Sequence, residues 1–226
     1  YKKKYPSFAE KFRFYPNVYE LERVEENGDA VEIETNRKFR IVYTGGLAEE
    51  RSPEYLLKPL EELYQSDANL VNKLEVIFAG DVDFRNRSKF QSYNLPFVTW
   101  LGKIPYKEAL QLQRSSDLLV VIDNPIEDPE MSMFFPSKLL DYMMARKRIL
   151  AVTTKGGASD QVMRDLKGDV CSHKEVDAIK NAITNAMNAF NNGDVNYLKN
   201  ARPPEKYEAS YNANKLYKEI INLINV

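Results

Sequence analysis

Short apolar runs without polar alternation punctuate this chain, and they constrain its fold more than any other feature. They fall at Phe39–Thr44, Leu74–Ala79, Phe97–Leu101, Leu118–Ile122 and Ile149–Thr153, with a weaker run at Asp169–Cys171. Each leads into a polar or glycine-containing loop and then an amphipathic stretch. Continuous runs of this kind suit strands buried on both faces of a parallel sheet. Between them lie helical periods. Leu56, Leu57, Leu60, Leu63 and Tyr64 share one side after Ser52-Pro53, a cap and first-turn signal. Val176, Ile179, Ile183, Ala186, Met187 and Phe190 repeat at three and four and stop at Asn192-Gly193. Strands alternating with helices give an α/β fold: a doubly wound, Rossmann-like parallel sheet of about six strands with helices on both faces.

The same reading divides the chain into a lead-in over 1–38, a sheet domain over 39–203 and a last helix from about Pro204 to Asn225. Charged residues crowd Glu20–Lys38 around Asn27-Gly28-Asp29, which reads as an exposed hairpin or a mobile excursion. Pro59, inside the first helical stretch, is expected to kink or shorten it. The chain opens on Tyr1 rather than Met, which suggests a fragment, and Lys2–Lys4 have no apolar stretch behind them, so no signal peptide is read there. With 32 basic and 33 acidic residues there is no net field for nucleic acid. One cysteine and one histidine cannot build a disulfide or a Cys/His zinc site. The longest aliphatic run, Leu118–Ile122, falls far short of the roughly 20 residues of a membrane span. A soluble protein of a reducing, cytoplasmic compartment is expected.

In an open parallel sheet, ligands bind beyond the carboxyl ends of the strands where strand order reverses. The loop after the first run, Thr44-Gly45-Gly46, lets backbone amides approach an anion, and Arg51 can pair with phosphate oxygens. After Leu118–Ile122 comes an acidic, proline-broken loop and then Phe135-Pro136-Ser137-Lys138-Leu139-Leu140-Asp141. Here Ser137 can cap a helix, Lys138 brings a cation to its mouth, and Asp141 lies one turn deeper on the same face. That set can hold a diphosphate and the adjoining ribose, although a plain surface Lys–Asp pair has the same spacing. A third loop, Thr153 to Ser159, offers the amides of Gly156 and Gly157, or is only a turn before a serine cap.

These pieces together carry a resemblance. Gly45-Gly46 with Arg51, Val76 to Asp81, Val98 to Pro105, Ser116 to Val120 and Pro136-Ser137-Lys138 through Ala145 with Gly156-Gly157 behind resemble glycosyltransferase group 1 (family 4) enzymes. The match is similar to the C-terminal, nucleotide-sugar-binding half of a GT-B enzyme over roughly 39–190, and Lys11 to Asn17 resembles the stretch joining the two halves. The resemblance implies transfer of a sugar from a nucleotide diphosphate-sugar, with retention, no cofactor and no required metal, to a lipid-linked or saccharide acceptor in polysaccharide biosynthesis. It implies that Gly45, Gly46, Arg51, Ser137 and Lys138 meet the diphosphate, with Arg51 and Lys138 stabilising the leaving group. Asp141 would bond the ribose, and Gly102, Lys103 and Ile104 would border the base. The partners implied are the donor and an N-terminal acceptor domain, with peripheral association at the inner face of the cell membrane through that half. The fragment alone is expected to be inactive.

Two departures stand out. The family's paired acids become Met133 and Asp141, leaving Glu127, Asp128 or Glu130 as nearby substitutes. Gly46 stands where a small basic residue is usual. Alternatives of the same architecture are a sugar-nucleotide 2-epimerase and a non-catalytic nucleotide-sugar-binding scaffold. A dehydrogenase-type domain is disfavoured, because no Gly-x-Gly-x-x-Gly follows the first strand. Plainer roles are expected for His173 (surface), Trp100 (core) and Met143 and Met144 (helix packing). Tyr207, Tyr211 and Tyr217 are expected on the last helix, forming an exposed patch toward the missing half.

Overall fold

The apolar runs do become strands. The computed structural model describes residues 2–20, 37–133, 135–200 and 202–224. The strands are β1 (Phe39–Thr44), β2 (Leu74–Ala79), β3 (Val98–Trp100), β4 (Leu118–Ile122), β5 (Arg148–Val152) and β6 (Asp169–Cys171). Among the described residues the helices are α1 (Glu54–Ser66), α2 (Leu70–Lys73), α3 (Phe84–Tyr93), α4 (Tyr106–Arg114), α5 (Lys138–Ala145), α6 (Ala158–Leu166), α7 (Val176–Asn191), α8 (Val195–Leu198) and α9 (Ala209–Ile224). All the strands pair in parallel, in the order β3-β2-β1-β4-β5-β6. The fold is the doubly wound α/β sheet that the alternation implies.

Alternate strand residues feed two cores, because successive side chains point to opposite faces. Ile41, Val76, Phe78, Leu118, Val120 and Leu150 pack against Leu56, Leu57 and Leu60 of α1 and Ile179, Ile183 and Phe190 of α7. Val42, Ile77, Leu119, Val121, Ile149 and Ala151 face Leu139, Tyr142 and Met143 of α5 and Val162, Met163 and Leu166 of α6. Central β4 is buried at every position, which is why its sequence shows no alternation.

Details differ from the sequence reading. Helix α1 runs for 13 residues through Pro59, which is buried along with Leu56, Leu57 and Leu60, so the proline does not shorten it. The α1 helix begins at Glu54, and the Ser52 hydroxyl accepts the Glu54 amide at 3.1 Å. The hairpin expected around Asn27-Gly28-Asp29 lies outside the described residues. In the lead-in, Tyr19 is buried and pairs with the chain beside Glu208: its amide donates to Tyr207 at 2.8 Å and its carbonyl accepts from Ala209 at 2.9 Å. The last helix starts at Ala209 instead of Pro204. Tyr207 therefore precedes it in a 3₁₀ turn and is buried, its hydroxyl 2.9 Å from Asp165. Tyr211 and Tyr217 are exposed, alongside Leu216, Ile220 and Leu223. His173 is not a surface residue: it is half-buried, edge-on to Tyr55, with Nε2 2.8 Å from the Asp123 carbonyl. Trp100 is half-buried, stacked on Phe90 with its Nε1 donating to Gly80, while Met143 and Met144 are core. Among the described residues no helix is long and apolar enough to cross a membrane.

Candidate functional site

Strand order reverses between β1 and β4, which are neighbours in space although β2 and β3 lie between them in sequence. A cavity of about 730 Å³ opens at the carboxyl ends of the strands there. The loop after β1 gives it Gly45, Gly46 and Arg51, and the start of α5 gives it Ser137, Lys138 and Asp141. Lys103 and Ile104, after β3, also line it. The two cations that the sequence singled out thus face one space.

Each is held unusually. The Lys138 ammonium donates to the Tyr43 hydroxyl at 2.7 Å and lies 3.9 Å from that ring's centroid. It packs so closely on the first loop that a Cβ at Gly45 would fall 2.7 Å from Nζ. The Arg51 Nε is buried without a hydrogen-bond partner. Among the described residues neither cation has a carboxylate in ion-pair contact. Burial, with Arg51 beside it, pushes the Lys138 pKa down to about 7, and the Asp123 carboxylate opposes this only in part. A buried ammonium beside a second cation, with no carboxylate in ion-pair contact, is costly unless an anion completes the set.

Two sets of hydrogen-bonded polar side chains lie in and beneath the cavity. Tyr142, fully buried in α5, accepts from the Thr44 amide at 2.9 Å. The Gln113 side-chain amide donates to the Thr44 hydroxyl at 2.9 Å, while its own oxygen is buried without a partner. Asp141 accepts from the Tyr106 hydroxyl at 2.8 Å, and both line the cavity. Tyr43, Tyr106 and Gln113 were not among the candidates. Tyr43 is hidden inside an apolar strand, but Tyr106, just after Pro105 at a helix start, gave a usable signal.

Other candidates fall differently. Ser137 lines the cavity but does not cap α5: its backbone is already helical, and its side chain makes no cap bond. The first turn is closed instead by the amides of Leu139 and Leu140, which donate to Pro136 and Ser137 at 3.0 Å each. Gly102 stands beside the cavity with its carbonyl bound to the Gly80 amide at 2.8 Å. Gly156 and Gly157 lie away from it, against Pro129 and Ser132. Their amides are taken by Asp160 at 2.6 Å and Thr154 at 3.1 Å, so this loop is an internally satisfied turn. Met133 is 59% exposed, and it borders a second cavity of about 250 Å³ that shares Arg51 and Pro136 with the first. The suggested acidic substitutes do not line either space: Glu127 and Glu130 face solvent, toward Lys174 and Lys3. Asp123 and Asn124 are the polar residues at the end of β4 that reach the second cavity.

Residues 25–202 match the family described as glycosyl transferases group 1. This chain belongs to that family. Solved structures resemble this group 1 glycosyl transferase domain in fold at low identity. HepE from Anabaena, solved with UDP, aligns at TM-score 0.62 and 13% identity over 95% of this chain and 58% of its own. A trehalose 6-phosphate synthase from Burkholderia multivorans aligns at 0.60 and 8% over 93% of this chain and 50% of its own. The C-terminal domain of LpcC, a group 1 family protein from Francisella tularensis, aligns at 0.52 and 13% over 82% of this chain and 89% of its own. This chain thus spans 58% and 50% of the length of the first two. Among curated proteins no sequence matches.

Proposed function

We propose that this domain binds the donor in a glycosyltransferase that moves a sugar from a nucleoside diphosphate-sugar to a saccharide or lipid-linked acceptor. One observation carries the reading: Arg51 and Lys138, neither in an ion pair among the described residues, converge on a cavity at the sheet's switch point. A diphosphate between them relieves their mutual repulsion. As the sugar departs, negative charge grows on the leaving phosphate, and preorganised cations in a water-poor site stabilise that charge most where it develops. The two side chains supply this stabilisation without a required metal. Asp141 accepts from ribose hydroxyls, taking over the bond that Tyr106 now makes. Lys103 and Ile104 border the base.

HepE, solved in complex with UDP, supports the nucleotide class. Retention at the anomeric carbon, a role in polysaccharide assembly and an acceptor-binding domain contributed from outside this chain are parts of the same proposal. That domain would also make any contact with the inner face of the membrane, and the chain alone would bind donor without turning it over.

A thermal-shift panel of UDP, GDP and ADP and their sugars tests the proposal. One of the nucleotides should raise the melting temperature of the wild-type chain, and Lys138→Ala should abolish that rise. A panel with no shift at millimolar ligand would favour the non-catalytic scaffold. Release of free nucleoside diphosphate and an epimerised sugar, without any acceptor, would favour the 2-epimerase.

A further inference from the structure

Tyr43 looks like an ordinary core residue of β1, since its ring is only 1% exposed and packs with Phe78. Its hydroxyl, however, makes two bonds, both to residues that line the cavity. It donates to the Gly46 carbonyl at 2.9 Å and accepts from the Lys138 ammonium at 2.7 Å. The first partner belongs to the loop after β1, and the second opens α5, 95 residues further along the chain. A phenol has one proton to give. With that proton committed to Gly46, the oxygen presents only lone pairs to Lys138, and these bond the ammonium more strongly than a neutral amine. The ring face, 3.9 Å from Nζ, attracts the same cation.

The groups around the ammonium can be named element by element. From the loop after β1 the Arg51 guanidinium disfavours its charge, and from the end of β4 the Asp123 carboxylate favours it. The phenols of Tyr43 on β1 and Tyr142 on α5 stay neutral, because burial raises both. A phenyl ring at position 43 would fill the same core space. The hydroxyl is therefore the part of this residue that acts on the site.

We propose that Tyr43 is a positioning residue of the donor site, tying the Gly45-Gly46 turn to Lys138 and holding the ammonium where the departing phosphate would bear its charge. This rests on the donor-site reading above. Tyr43 itself need not touch the donor. It acts by keeping Lys138 charged and placed.

The test is calorimetric titration with UDP of the whole chain as wild type, Tyr43→Phe, Lys138→Met and the double variant, at pH 6 and pH 8.5. Loss of the hydroxyl should weaken UDP binding about tenfold at pH 8.5 and about threefold at pH 6, where Lys138 is protonated in either protein. In the Lys138→Met background the same change should alter affinity less than about twofold, because the coupled partner is gone. An effect equal at both pH values and in both backgrounds, or no effect, would overturn the positioning role while leaving the donor site standing. A wild-type chain that binds neither UDP nor, titrated in its place, GDP or ADP would overturn the donor reading and this inference with it. As a check needing no variant, the Tyr43 ring Cζ carbon resonance should move when UDP is added to the wild type, and an unmoved resonance would also overturn the proposal.

Discussion

Replacing Gly80 by alanine should damage this protein far more than replacing Gly102, although both glycines follow a strand on the same rim. Gly80 has φ +147° and Gly102 φ +72°, so both substitutions place a side chain on backbone that L residues rarely adopt. The surroundings separate them. A Cβ at Gly80 would sit 2.1 Å from the Gly45 carbonyl oxygen and 2.5 Å from its carbon, whereas one at Gly102 meets nothing within 4 Å. Gly80 cannot retreat easily, because its amide is bound to Gly102 at 2.8 Å and its carbonyl to the Trp100 indole at 3.0 Å. Backbone strain of about 1–3 kcal/mol and overpacking of about 1–3 kcal/mol give Gly80→Ala a loss of about 2–6 kcal/mol. Gly102→Ala carries only the conformational part, about 1–2 kcal/mol. Urea unfolding followed by circular dichroism measures both against a domain stability of about 5–15 kcal/mol. Since the displaced atoms are those of Gly45, the folded fraction of Gly80→Ala should also bind UDP about tenfold more weakly. If Gly80→Ala were no less stable than Gly102→Ala, the close approach of the two loops would not be what demands glycine there.

Further outcomes follow from the same geometry. The Lys138 pKa lies near 7 in the fold against an ordinary 10.5, so the unfolded chain holds a proton that the empty folded site has released between those values. Stability of the empty domain against urea should therefore gain a contribution as pH rises through that window, while UDP affinity, which in the proposed donor site depends on the ammonium, should fall above about pH 7. Opposite pH slopes are the signature, and parallel slopes would rule out Lys138 as the linked group. Asp117 is buried and accepts from Arg37 at 2.6 and 2.8 Å and from the Arg40 amide at 2.8 Å, so Asp117→Ala should lose about 3 kcal/mol in the same urea assay. On the proposed ribose role of the carboxylate, Asp141→Ala should weaken UDP about tenfold and inorganic pyrophosphate less than about twofold. Equal losses for both ligands in calorimetry would remove that role.

Strand positions were readable because a sheet covered on both faces needs uninterrupted apolar residues, and Leu118–Ile122 shows this with no exposed position. Helix ends were less legible. Ser137 and Pro204 look like starting signals, yet backbone geometry places Ser137 already in the helical region and delays the last helix to Ala209 behind a 3₁₀ turn. The convergence of Arg51 and Lys138 was foreseeable from their loops, since the topology rule brings the ends of β1 and β4 together. What could not be read was which loop amides are already used. Gly156-Gly157 resembles an anion loop until Asp160 and Thr154 are seen to occupy its donors. Tyr43 and Gln113 stayed hidden for a related reason: a strand tyrosine and a helix glutamine look like packing residues until tertiary contacts bond their polar atoms to residues that line one cavity.

The most direct measurement is a crystal structure of the chain with UDP. The proposed donor site puts the diphosphate oxygens within hydrogen-bond distance of both the Arg51 guanidinium and the Lys138 ammonium, with the ribose on Asp141. A diphosphate seated elsewhere, with those two cations turned from it, would contradict the account.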